Sequence, residues 1–212
     1  LIKILTADLQ IQRENILVSF SGNDGFHLYV ANSAYNTLGS KERSDLSDYI
    51  MFRRAIPEAF GFKKANPSRS LLPELAEPGW RGRVAAGLFG SKSNRSKGVT
   101  KIISDGYHAY RQRLEEMGKN SIGIRIDPNV TVDIHRIFRL EGSLNSKSGL
   151  VKLACENIEK FSPYTEACLI DDKPVEVLAN CPIVFRLNNK KFGPYANETV
   201  SIPKFTAVYM IC

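Results

Sequence analysis

No two of the four cysteines, Cys155, Cys168, Cys181 and Cys212, stand in a C-x-x-C pair, which excludes a compact zinc knuckle within these residues. The thiols are expected to be reduced and mostly buried. Of the three histidines, His108 and His135 have no partner at metal-ligand spacing, and both read as structural. No apolar run approaches the length that spans a bilayer, and no signal peptide is visible at the start. No membrane partner is therefore expected, and the expected compartment is the cytosol or the nucleus. No internal repeat appears. A phosphate-binding P-loop is excluded as well. From Gly142 to Lys147 is one residue short, the second glycine is missing, and the loop follows a helical pattern where that motif follows a strand.

What is present is a chain of 212 residues, 43% hydrophobic, long enough for one sizeable core or a main domain with a small appendage. A formal net charge of +7 favours a polyanionic partner, with nucleic acid or nucleotides first. Residue 1 is leucine rather than methionine, and Leu1 to Leu9 read as the last turns of an amphipathic helix with no start signal. Phe205 to Cys212 is apolar and stops without a polar tail. Both ends are expected to be cut from a longer protein.

In chain order, Asn15 to Ser21 reads as a strand, Gly22-Asn-Asp-Gly25 as a tight turn and Phe26 to Val30 as the return strand. This register sets His27 across the turn from Ser21, although a lone histidine on a strand is an ordinary structural residue. A helix is expected from Ser40, capped by that serine and ended or kinked by Pro57. Residues 60–98 read as a flexible or basic insertion, rich in proline and glycine. Its run Ser91-Lys-Ser-Asn-Arg-Ser-Lys-Gly98 suits either a nucleic-acid backbone or plain solvent. Tyr107 to Gly118 reads as a helix with a glycine stop, and Ala154 to Phe161 as a short helix. Strands are expected at Pro174 to Leu178, at Ile183 to Leu187 before an Asn188-Asn189 turn, and at Glu198 to Ile202.

The chain is organised around Ser121 to Leu150. Ile122, Ile124 and Ile126 alternate with Ser121, Gly123 and Arg125, the period of a half-buried strand that stops at Asp127. After Pro128, the residues Val130, Ile134, Ile137, Phe138 and Leu140 fit one face of a short helix, with Arg136 and Arg139 together on another. A small loop, Gly142 to Gly149, carries Lys147. Strand-end acid, helical arginines and loop lysine suit a metal ion and a polyphosphate. Each also has a plain alternative, since Asp127 before Pro128 can cap the helix and paired arginines can be a solvated face. The expected fold class is α/β (α+β). A mixed sheet would take in the hairpin and the Ile122–Asp127 strand, followed by a β-rich C-terminal part.

With hairpin and central run both in view, the chain resembles the small, catalytic subunit of archaeal and eukaryotic DNA primase, in its archaeal form. Phe20-Ser-Gly-Asn-Asp-Gly-Phe-His-Leu-Tyr-Val30 is similar to a family hairpin F-S-G-x-R-G-F-H-x-x-V. Ile126 to Leu150 resembles I-D-x-x-V-T-x-D-I-H-R-L-I-R-L-P-G-S-L-H-G-K-T-G-L, and Phe192-Gly-Pro-Tyr followed by Val200-Ser-Ile-Pro resembles the family tail. The sequence departs from the pattern at Asn23 and Asp24 in place of arginine, at Glu141 in place of proline, and at Asn145 in place of histidine.

The resemblance implies a role for each matched residue. Asp127 would be the third metal-binding carboxylate and a catalytic residue. Ser21, Gly22 and His27 on the hairpin, with Arg139, Asn145 and Lys147, would hold the incoming nucleotide. The implied reaction is template-directed joining of ribonucleotides into a short RNA primer for DNA replication, with Mg2+ or Mn2+ as the two catalytic metals. The implied partners are the primase large subunit, a single-stranded DNA template and nucleoside triphosphates. In the family a D-x-D pair and a Zn2+ knot precede the helix with which this chain begins. One acid cannot hold two metals, so the chain alone is expected to synthesise no primers. The alternatives are a primase-polymerase or repair polymerase with the same site, and a non-catalytic nucleic-acid-binding subunit.

Overall fold

The computed structural model describes residues 1–31, 33–64 and 67–212. In chain order the elements are α1 (Ile2–Ala7), β1 (Ile16–Phe20), β2 (Phe26–Val30), α2 (Ser33–Asn36), α3 (Ser40–Ile50), α4 (Gly79–Phe89), α5 (Lys92–Asn120) and α6 (Pro128–Val132). They continue with β3 (Leu153–Ala154), α7 (Pro163–Glu166), β4 (Pro174–Cys181), β5 (Phe185–Leu187), β6 (Lys190–Phe192), β7 (Tyr195–Pro203) and α8 (Lys204–Ile211). Helices and antiparallel sheets together make an α+β fold. No helix among the described residues is long and apolar enough to cross a membrane.

Two compact units divide the chain, and each is assembled from two separated stretches. The first takes Leu1–Arg13 and Asn32–Arg136 and is helical. Its core includes an aromatic cluster in which the Phe52 ring lies 4.7 Å from Trp80 and 5.4 Å from Phe60, centroid to centroid. Burial of such large rings is the main favourable term in a unit this small. At its edge the Asp8 carboxylate accepts two guanidinium N–H groups of Arg83, at 2.6 and 2.8 Å, and the Tyr49 hydroxyl at 2.9 Å.

The stretch 60–98, expected as a flexible or basic insertion, instead supplies much of this core. Trp80, Val84, Ala85 and Phe89 on α4 are buried, and the basic run forms the first turns of α5. Arg95 from that run donates to the carbonyls of Leu72 and Pro73 at 2.9 and 3.2 Å. Pro78, Gly79 and Gly90 bound α4, Gly82 and Gly87 lie within it and Gly98 within α5, where packing overrides propensity, while Pro67 and Pro73 stay in irregular backbone. α5 contains the helix expected at Tyr107 to Gly118, is interrupted by non-helical backbone at Gly106 and runs two residues past the expected stop. α3 begins at Ser40, but Gly39 is its cap residue and no side chain caps it.

The largest departure concerns 122–140. No ladder forms over Ile122–Asp127, so the expected central strand and its place in a sheet are corrected. A strand needs a partner for its N–H and C=O groups, and alternation alone supplies none. The helix that follows stops at Val132, because the Asp133 carboxylate accepts the His135 N–H at 2.9 Å and turns the chain. Beyond it Ile137 is 94% and Leu140 79% exposed, so no burial supports the apolar face that suggested a longer helix.

The second unit takes Glu14–Ala31 and Ile137–Cys212. β1 lies between β2 and β3 in a three-stranded antiparallel sheet, while β4 pairs with β7 and β5 with β6. Phe20, Leu150, Ala167, Leu187, Phe192 and Phe205 form its core. The expected hairpin, the strands around 174–202 and the Asn188-Asn189 turn are all present, both asparagines adopting positive φ. The helix expected at Ala154 to Phe161 is replaced by β3 and a turn, and a short helix follows at α7.

Candidate nucleotide-binding site

Asp127 belongs to the first unit, and the other sequence-identified residues to the second. The Asp127 carboxylate caps α6, accepting the Asn129 N–H at 3.0 Å through Oδ1. Its Oδ2 pairs with the Arg136 guanidinium at 3.3 Å, and the side chain is half exposed. Arg136 is thus occupied by the acid, and it does not share a helical face with Arg139. No group of three or more His, Cys, Asp or Glu that could hold a metal occurs among the described residues. One carboxylate fits a single ligand position of Mg2+ or Mn2+, which take oxygen donors. A two-metal set needs further acids beside it.

In the second unit the hairpin turn rests on the loop 142–150. Ser21 is spent on the turn itself, its N–H donating to the Gly25 carbonyl at 2.8 Å and its Oγ accepting from the N–H groups of Asn23 and Gly25 at 3.2 and 3.3 Å. Strand register sets His27 opposite Ser19 rather than the expected Ser21. Gly22 adopts φ 85°, and a Cβ there would lie 3.1 Å from both the Asn145 Cβ and the Leu150 carbonyl oxygen. Only glycine combines that left-handed backbone with so close an approach. Its carbonyl accepts the Ser148 hydroxyl, which stitches turn to loop.

Asn145, 7% exposed, organises the loop. Its Oδ1 accepts the Lys147 N–H at 2.9 Å, its N–H donates to the Leu150 carbonyl at 2.8 Å and its carbonyl accepts the Gly149 N–H at 2.8 Å. The Lys147 side chain is exposed. Arg139 is half-buried, and one of its terminal nitrogens donates to the Leu144 carbonyl at 2.6 Å, fixing the guanidinium against the loop. Asp24, the acid where a family arginine was expected, accepts the Asn23 amide at 2.7 Å.

Two residues of this cluster escaped the sequence reading. Lys152 is 3% exposed, and its Nζ donates to the Tyr29 hydroxyl at 2.6 Å and to the Arg139 carbonyl at 2.7 Å. The Tyr29 hydroxyl lies in turn 3.4 Å from His27 Nδ1. A relay from His27 through Tyr29 to Lys152 therefore ties the return strand to the backbone that carries Arg139. The available signal was a single lysine inside the apolar run Leu150-Val-Lys-Leu-Ala-Cys155, since a charge is rarely buried there without partners. Chemically the cluster offers guanidinium, ammonium and imidazole groups on one connected framework, which suits a phosphate-bearing anion.

The comparisons with known proteins agree with the motifs. The DNA primase small subunit family matches residues 1–155. Over 210 residues the chain is 56% identical to the DNA primase small subunit PriS of Nitrosopumilus maritimus, covering 99% of this chain and 56% of that protein. It is 45% identical over 212 residues to PriS of Cenarchaeum symbiosum (100% of this chain, 57% of that one), and 29% identical over 217 residues to PriS of Archaeoglobus fulgidus (99% and 60%). The chain thus spans less than two thirds of the length of these curated relatives. On the extent of the family match and of the identity, the chain belongs to the DNA primase small subunit family.

Proposed function

We propose that this chain is the nucleotide-holding part of a primase catalytic subunit, and that its second unit grips the triphosphate of an incoming nucleoside triphosphate. The observation that carries the reading is the stitched framework of hairpin turn and loop, which brings Arg139, Lys147 and the His27 relay onto connected backbone in a chain of this family. Arg139 and Lys147 stabilise phosphate charge as it redistributes in nucleotidyl transfer. Ser21, Gly22 and Asn145 act as framework, shaping the turn and loop. Asp127 supplies one carboxylate for Mg2+ or Mn2+, and such a metal activates the attacking hydroxyl and steadies the leaving group when bound. The whole protein would join ribonucleotides into short primers on a single-stranded DNA template, working with a large subunit.

Titrating a ribonucleoside triphosphate with Mg2+ into the 212-residue chain tests the grip. Arg139→Ala and Lys147→Ala are each expected to weaken binding about tenfold, the loss of one charge-assisted hydrogen bond of roughly 1.4 kcal/mol. Unchanged affinity in both variants would sink the reading. Template-dependent synthesis by the chain alone is expected to be undetectable, since no group of three or more His, Cys, Asp or Glu that could hold a metal occurs among the described residues. A competing reading, a non-catalytic nucleic-acid-binding subunit, is favoured by the Asn23–Asp24 contact and the buried Asn145. It predicts DNA affinity with no metal-dependent nucleotide binding in the same titration.

A further inference from the structure

In the first unit, residues 51–56 after α3, the last turns of α5 and residues 123–125 enclose an open concavity of about 450 Å³. Five cations line it, Arg53, Arg54, Arg111, Lys119 and Arg125, against the single carboxylate of Glu115. Arg111 is spent on Glu115 at 3.0 Å, and Arg54 on Asp48 at 3.0 Å. Arg53, Lys119 and Arg125 are exposed and form no ion pair among the described residues.

The backbone around this concavity is closely fitted. A Cβ at Gly118 would come within 2.8 Å of the Phe52 carbonyl oxygen, and one at Gly123 within 2.5 Å of the Met51 carbonyl oxygen. Side chains at these positions would drive the 51–56 segment off the end of α5. Phe52 and Arg54 both adopt left-handed backbone, with φ 53° and 56°, which non-glycine residues adopt only where surroundings enforce it. The enforcing contact is the Phe52 ring packed on Trp80 and Phe60. Ile124 N–H donates to the Ile50 carbonyl at 3.3 Å, holding the Arg125 strip to the same wall.

Three uncompensated cations on a rim fixed by packing repel one another and stabilise nothing inside the fold, whereas a row of phosphates would neutralise them. We propose that this concavity is a second phosphate site, which takes backbone phosphates of a single-stranded nucleic acid without metal. The choice of a strand as ligand rests on the primase reading; the preference for phosphate does not.

The test measures binding of a fluorescent oligodeoxythymidylate to the 212-residue chain, without divalent metal or nucleotide, across a salt series. Arg53→Ala/Lys119→Ala/Arg125→Ala is expected to lose about tenfold or more in affinity at low salt. The slope of log K against log salt should fall by about two, at roughly 0.7 per phosphate contact on single strands. The charge-keeping variant Arg53→Lys/Lys119→Arg/Arg125→Lys should stay near the parent. Should the triple alanine variant not fold, each single alanine variant must lower the slope by about 0.7 for the proposal to stand. Equal affinity and slope in the alanine variant overturn it, as does a loss confined to inorganic triphosphate. Nucleoside triphosphate titrated with Mg2+ into the same variant should bind as to the parent, so failure of this site and failure of the Arg139 and Lys147 grip are read separately.

Discussion

Asp8 shows how a single carboxylate can anchor a helical unit. Its hydrogen bonds to Arg83 are the main reason its carboxyl is held below the usual carboxylate range, and the Tyr49 hydroxyl adds to the effect against the opposing pull of burial. Burial first, then Asp8, pushes Tyr49 up to about 12. A depressed acid stabilises the fold fully above the unfolded carboxylate pKa, near 4, and the contribution is lost as pH falls through the lower folded value. Asp8→Asn is expected to remove about 2 kcal/mol at pH 7, the worth of hydrogen bonds to a charged group. The gap from the parent should narrow toward pH 2.5. Urea midpoints at the two pH values check this, and a gap independent of pH would contradict it.

At the scale of elements, the hairpin and its loop act as one piece because Gly22 lets them touch. Gly22→Ala would place a methyl 3.1 Å from the Leu150 carbonyl oxygen on backbone at φ 85°, and should cost about 2 kcal/mol. Thermal unfolding measures the cost, and a variant as stable as the parent would mean the turn relaxes away from the loop. The hairpin was legible because Asp24-Gly25 between β-rich runs is a local signal that needs no distant partner. The run after Pro128 was not, since its apolar spacing is helical while Ile134, Ile137 and Leu140 find no surface to bury them. Residues 60–98 misled in the opposite sense. Their glycines and prolines look like loop, yet Trp80, Val84 and Phe89 are drawn into a core that only packing reveals.

For the molecule as a whole, the division into two units, each built from separated stretches, makes a prediction of its own. Asp8 and Gly22 lie in different units, Asp8 bonded to Arg83 and Tyr49 and Gly22 to Ser148, so the destabilisations of Asp8→Asn and Gly22→Ala should add within about 0.5 kcal/mol. Coupling well beyond that in the double variant, measured by urea denaturation, would show that the units do not respond independently. Local sequence determined the class of the fold, the hairpin, the C-terminal strands and the family motif, because turn chemistry and alternation act between neighbours along the chain. Tertiary structure alone decided that 122–127 forms no ladder, that Ile137 and Leu140 stay exposed, and that Lys152 lies buried between Tyr29 and Arg139. Ladder pairing and burial each require partners far away in sequence, as Lys152 and Tyr29 are, and no spacing rule names them.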